Sequence, residues 1–201
     1  MGIGDGMRVV VYDGAGLFSA ARVWWMFRTF GHSDVAILDG GFPKWLAENR
    51  PVEDGPAAKR QQRHLTARYS ASSVRDKQDV LNAITSGSAQ IADARSAGRF
   101  SAQEPEPRAG MRGGHMPGAF NIHYKSLLNE DGTVRSTDAI KQVFEEAGID
   151  LAKPVITTCG SGVTAAILTL GLMLNGQNSN SLYDGSWTDW GSDPDTPIET
   201  D

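Results

Sequence analysis

Val155-Ile156-Thr157-Thr158-Cys159-Gly160-Ser161-Gly162-Val163-Thr164-Ala165 is the stretch on which the reading of this chain turns. The run before Cys159 is apolar and β-branched, as in a buried strand, and a helical apolar pattern then continues through Leu174. Cys159, the only cysteine in the chain, stands at the turn between them. Small residues there let successive backbone N–H groups curl around the sulfur, and the positive dipole end of the following helix points at the same spot. Gly160, Ser161, Gly162, Val163 and Thr164 thus form a cradle for an anion, which favours a thiolate over a thiol. A lone cysteine is more often a small buried hydrophobe. A structural cysteine, however, has no need of two glycines and a serine just behind it. One competing loop is excluded at once, because phosphatases of the Cys-x5-Arg type need an arginine six residues after the cysteine to clamp phosphate. That position is Ala165.

Working outward, the same plan occurs near the N-terminus. Val9-Val10-Val11-Tyr12 ends at Asp13, followed by Gly14-Ala15-Gly16 and a helical segment from about Ser19 to Phe30. Tyr12-Asp13-Gly14-Ala15-Gly16-Leu17-Phe18-Ser19-Ala20 aligns with Thr158-Cys159-Gly160-Ser161-Gly162-Val163-Thr164-Ala165 if one residue is inserted. A second strand candidate, Val35-Ala36-Ile37-Leu38, leads to Asp39-Gly40-Gly41 and Trp45, and these match Asp184-Gly185-Ser186 and Trp190 at the same spacing. Two copies of one α/β unit are implied. Asp13 holds the cysteine position in the first copy, so only the second copy can do thiol chemistry.

Composition narrows the partners. Lys and Arg total 19 against 24 Asp and Glu, a formal net charge of −5, which argues against nucleic acid or an anionic membrane recognised through bulk charge. One cysteine allows no internal disulfide and points to a reducing compartment. No run approaches a membrane span and the first residues lack a signal pattern, so a cytoplasmic location is expected. His32, His64 and His123 lack metal-ligand spacing, His115 reads as a turn anchor, and no cofactor is called for. From about Arg50 the chain is polar, with Pro51, Asp54-Gly55-Pro56, Lys59-Arg60 and Arg63. This reads as a linker. Beyond it the pattern predicts a helix around Val74–Ile84, a strand around Ile91–Ala94, a loop from Ser96 to Gly118 and a helix around Thr137–Ala147. The expected fold class is α/β, a parallel sheet flanked by helices.

The chain resembles the two-domain rhodanese-fold sulfurtransferases, particularly those using 3-mercaptopyruvate. The resemblance rests on Tyr12-Asp13 with Leu17-Phe18-Ser19-Ala20 and Val23-Trp24-Trp25-Met26, Leu38-Asp39-Gly40-Gly41, Asp93-Ala94-Arg95 with Gly98-Arg99-Phe100, Glu104-Pro105-Glu106-Pro107-Arg108, Gly114-His115-Met116-Pro117-Gly118-Ala119, the Cys159 loop and Tyr183-Asp184-Gly185-Ser186-Trp187. It implies a noncatalytic N-terminal unit at residues 1–50 that lacks its first half, a linker at 51–63 and a catalytic rhodanese domain at 64–201. It further implies sulfur transfer from 3-mercaptopyruvate through a Cys159 persulfide to cyanide or a thiol such as thioredoxin, with pyruvate released. Thiosulfate-using relatives place cations directly after the cysteine. Gly160 and Ser161 are neutral, so by the resemblance Arg99 and Arg108 are the substrate arginines, a role their guanidinium forks suit. The resemblance also pairs Ser161 with a histidine and an aspartate from the first half of the N-terminal unit, and low activity is expected without them. Two alternatives remain: a thiosulfate sulfurtransferase, and an inactive or regulatory binding module. The apolar face of the first helix, with Trp24, Trp25 and Phe27, is expected to pack against the C-terminal domain or to drive self-association.

Overall fold

The computed structural model describes residues 2–200. The strand before the cysteine, β6 (Val155–Thr158), lies in the middle of a five-stranded sheet and is buried along its whole length. Its neighbours are β4 (Gln90–Asp93) and β7 (Asn180–Tyr183), with β5 (Phe120–Asn121) and β3 (Val74–Arg75) at the edges. All the pairings are parallel, with Ile91 opposite Ile156 and Ile156 opposite Ser181. Burial on both faces explains why β6 is continuously apolar or β-branched rather than alternating with charge.

Alternation along the strands divides the core in two. Val155, Ala92 and Leu182 face α6 (Ala165–Leu174) and α5 (Thr137–Glu146), where Ile140, Phe144, Ile167, Leu168 and Leu172 are buried. Ile91, Ile156 and Tyr183 face α3 (Lys77–Ser86) and α7 (Ser186–Trp190), which supply Val80, Trp187 and Trp190. The sequence of α6, Ala-Ala-Ile-Leu-Thr-Leu-Gly-Leu-Met-Leu, is apolar all round, and such a helix needs cover on more than one side. The sheet gives one side. The other comes from α1 (Ala20–Thr29), whose Trp24 and Trp25 are buried in the same core. The expected packing of the N-terminal unit on the C-terminal one is thus present, although Val23, Met26 and Phe30 stay exposed.

β1 (Val9–Val11) and β2 (Val35–Ile37) pair in parallel as a separate two-stranded sheet, leading into α1 and α2 (Gly41–Ala47). The order β1-α1-β2-α2 repeats β6-α6-β7-α7, as the sequence repeat predicts. Burial of β1 on both faces is not found. Val10 is 55 % exposed, because among the described residues nothing covers that side of the pair. In the first copy the carboxylate of Asp13 accepts N–H groups from Ala15, Phe18, Ser19 and Ala20, each at 2.8 Å. The first-copy loop is thus an anion cradle, filled by a side chain of the loop itself. Burial alone would raise the Asp13 carboxyl, but these four donors outweigh it and hold it below the ordinary value. The sign follows: this contribution is complete above the unfolded carboxyl range and is lost as pH falls through the lowered folded value. Replacing Asp13 by alanine is expected to cost about 1–2 kcal/mol, as for a strong N-cap, and thermal melts at pH 7 and pH 3 check it. The variant should differ from the parent much less at pH 3.

Residues 51–69 contain no helix or strand and are exposed. Asp5 bonds to His64 and Thr66, Arg68 to Phe30 and Ser70 to Thr29, so 64–70 runs along the N-terminal unit. The helix expected from Val74 begins later. Val74 belongs to edge strand β3, and α3 starts at Lys77 behind a reciprocal capping pair, Asp76 and Asp79. Asp93 ends β4, and a helical turn, α4 (Ala97–Phe100), follows it within the expected loop, bringing Arg99 inward.

Candidate active site

Cys159 emerges from the C-terminal end of β6, where ligands bind in open parallel sheets. It is 2 % exposed and lies at the floor of a cavity of about 450 Å³. Gly160, Ser161, Val163, Thr164, Arg99 and Arg108 line the same cavity. Thus Cys159 and both arginines, about 50 to 60 residues apart in sequence, converge on one space. Gly162 does not line it. That residue turns the other way at φ +75°, beside Arg22 and Asp184, and its part in the loop is to make the turn.

The loop is held by its carbonyls. The Trp187 N–H donates to the Cys159 carbonyl at 2.9 Å, and Thr188 donates to the Gly160 carbonyl through both N–H at 2.9 Å and Oγ1 at 2.6 Å. Arg22 Nη1 donates to the Gly162 carbonyl at 3.3 Å. In a trans peptide the C=O and the next N–H point in opposite directions. Fixing the carbonyls of 159, 160 and 162 therefore turns the amides of Gly160, Ser161 and Val163 away from those anchors. Among the described residues, none of these amides has an acceptor within the chain. The Cys159 N–H itself is taken by Ser186 Oγ at 3.3 Å. The arrangement leaves a row of unspent donors in the loop that carries the sulfur, beside the cavity.

The arginines are positioned differently. Arg99 is paired with Glu106, whose side chain is buried and also binds Arg95 at 2.8 Å. Arg95 is wholly buried, chelated by Asp93, bonded to the Gly114 carbonyl and seated 4.1 Å over the Trp187 ring. Burial would lower Arg95, yet Asp93 and Glu106 prevail and raise it, so it stays charged. The guanidinium of Arg99 lies against Gly160, where a Cβ would come within 2.8 Å of Nη2. Arg108 Nη1 donates to Thr188 Oγ1 at 2.6 Å, the same hydroxyl that holds Gly160. Among the described residues Arg108 has no carboxylate partner, which leaves its charge for a bound anion.

Several wall residues escaped the sequence reading. His123, Tyr124 and Lys125 follow β5, and Phe18 comes from the N-terminal unit, its ring edge-on to Tyr124 at 5.8 Å. Burial, then the neighbouring Lys125, lowers His123, which keeps the ring neutral near pH 7. Burial also raises Tyr124. Their only sequence signal was position just after a strand of two residues. His115 anchors a loop, stacked on Phe100 with Nδ1 2.9 Å from its carbonyl. Ala165, which separates this loop from a phosphatase loop, is fully buried in the α6 core.

This architecture and this loop match a family model, the rhodanese-like domain, over residues 2–48 and 76–193. The chain belongs to the rhodanese-like family. The rat 3-mercaptopyruvate sulfurtransferase is 43 % identical over 192 residues, covering 94 % of this chain and 64 % of that protein. The rat thiosulfate sulfurtransferase is 39 % identical over 193 residues, covering 94 % and 65 %. The crystal structure of SseA from Escherichia coli, a 3-mercaptopyruvate sulfotransferase of the rhodanese fold, superposes with a TM-score of 0.82 at 39 % identity, covering 92 % of this chain and 69 % of that one. The chain therefore spans a little under two thirds of the rat relatives. The α/β fold with a parallel sheet flanked by helices is the rhodanese fold, and among the described residues no helix is long and apolar enough to cross a membrane.

Proposed function

We propose that the protein is a sulfurtransferase that takes sulfur from 3-mercaptopyruvate. The observation that carries the reading is the convergence of Cys159, its free amides and the two arginines on one cavity. The relatives named 3-mercaptopyruvate sulfurtransferase support the choice of donor. In the first half-reaction the Cys159 thiolate attacks the donor sulfur. The carbon–sulfur bond breaks, its electron pair leaves as pyruvate enolate, and a proton from solvent completes pyruvate. The enzyme keeps a persulfide. In the second half a thiol such as thioredoxin, or cyanide, attacks the outer sulfur and the Cys159 thiolate is restored. Amides 160, 161 and 163 hold the negative sulfur in both states.

Arg99 and Arg108 bind the carboxylate and carbonyl of the 2-oxo acid, and Ser161, exposed at the rim, faces the donor. The division into a noncatalytic unit at 1–50, a connector at 51–63 and a catalytic domain at 64–201 belongs to this proposal, as does a cytoplasmic location. Replacing Arg99 or Arg108 by alanine is expected to raise KM for mercaptopyruvate about 10–100-fold, the worth of a charge-assisted hydrogen bond at roughly 1.5–3 kcal/mol. Steady-state pyruvate release measures it. Unchanged KM in both variants would remove their assignment.

A second reading, thiosulfate as donor, has one observation in its favour. Lys125 joins Arg108 on the cavity wall, and neither has a carboxylate partner among the described residues. Two uncompensated cations suit a dianion. Comparing pyruvate formed from mercaptopyruvate with thiocyanate formed from thiosulfate and cyanide decides between the donors, and no turnover with either would favour a binding module.

A further inference from the structure

We infer that Arg22, on the helix of the N-terminal unit, is a positioning residue for the Cys159 loop, so that the unit without a cysteine takes part in the chemistry of the unit that has one. Arg22 lies 140 residues from the loop in sequence, yet its Nη1 donates to the Gly162 carbonyl at 3.3 Å and pairs with Asp184 Oδ1 at 2.6 Å. Its guanidinium also stacks 4.5 Å over Trp25, which is buried against α6. The side chain is thus fixed on three sides: by an aromatic ring in the core, by the residue just after β7, and by the loop.

The loop needs such an anchor at that point. Trp187 and Thr188 fix the carbonyls of Cys159 and Gly160, and both come from α7. Neither reaches Gly162. At φ +75° this residue has a backbone that glycine adopts freely, so its peptide plane is the one with most freedom to rotate. Arg22 holds the carbonyl of that plane, and peptide planarity then sets the direction of the Val163 N–H. Gly162 has no room for a side chain to do this work, since a Cβ would meet Arg22 Nη1 and the Asp184 carbonyl at 3.0 Å. A loose peptide at 162–163 would leave one fewer donor preset for the sulfur, and preset donors are what lower the barrier in such a site. Arg22 touches neither cavity nor sulfur and acts only through the loop.

This inference rests on the sulfurtransferase reading for its turnover assay but not for its chemical one. Replacing Arg22 by methionine keeps the stem over Trp25 and leaves Asp184, half exposed, free to solvate. The fold should therefore persist. We expect kcat for mercaptopyruvate to fall about tenfold with KM nearly unchanged, because Arg99 and Arg108 are untouched, and expect the rate of Cys159 alkylation by iodoacetamide at pH 7 to fall severalfold. Arg22→Lys, which keeps a donor and a charge, should recover much of both losses. The alkylation rate needs no substrate, so a protein inactive toward mercaptopyruvate would still report on the loop. An alkylation rate within twofold of the parent in Arg22→Met would overturn the inference whatever the turnover. So would a loss seen only as a raised KM, or equal losses in the lysine and methionine variants.

Discussion

Exchanging Cys159 for serine is expected to remove the proposed persulfide step and to reduce sulfur transfer by at least about 10³-fold, the scale seen when a covalent nucleophile is deleted. A hydroxyl in the same cradle is nearly isosteric, so the packing at this 2 %-exposed position survives. The change is chemical. A hydroxyl stays protonated where a thiol ionises, and sulfur is the atom that can hold a second sulfur in a labile bond. Incubating the parent with mercaptopyruvate and no acceptor should add one sulfur atom to the mass of the chain, and cyanide should remove it. With Cys159→Ser the mass should stay fixed. Added sulfur on the serine variant would place the sulfur elsewhere and sink the mechanism, since this chain has no other cysteine.

The parts of this arrangement that were legible in sequence share a physical reason: their local pattern and their tertiary environment agree. β6 is apolar because it is central, α6 is apolar all round because α1 and the sheet both cover it, and the glycines after Cys159 leave space that backbone and Arg99 fill. The repeat was legible for the same reason, and the Asp13 cradle is its clearest product. What escaped were elements too short or too polar to carry a period. β5 has two residues, β3 has two and was read as the start of α3, and β7 begins Asn180-Ser181. With β5 unread, the wall that follows it, His123-Tyr124-Lys125, had no address. Arg22 was hidden in a different way. It sits in a helix whose apolar periodicity draws attention to its tryptophans, and only the packing of α1 on α6 brings it to the loop.

Replacing Arg95 by methionine is expected to be the most destabilising change near the site, at about 3–5 kcal/mol, because it removes one partner from a buried ion cluster, leaving Asp93 without a cation and Glu106 with Arg99 alone. The side chains of Asp93 and Glu106 are both 1 % exposed, and Arg95 is their shared counter-ion. Asp93 also receives the Arg95 backbone N–H at 2.9 Å, and the Gly114 carbonyl receives Arg95 Nη2, so the exchange unpins strand β4, the Glu106 segment and the loop before His115 together. For a chain of this size that cost corresponds to a fall in Tm of roughly 6–20 °C. Differential scanning calorimetry measures it. Burying hydrocarbon in place of the guanidinium recovers a little, since methionine fills irregular space over the Trp187 ring, but a buried Asp93 carboxylate without a cation carries a large cost. A second substitution, Asp93→Asn, removes the stranded charge and should recover part of the loss. A Tm within about 2 °C of the parent for Arg95→Met would mean that this cluster does not support Glu106 and, through it, Arg99.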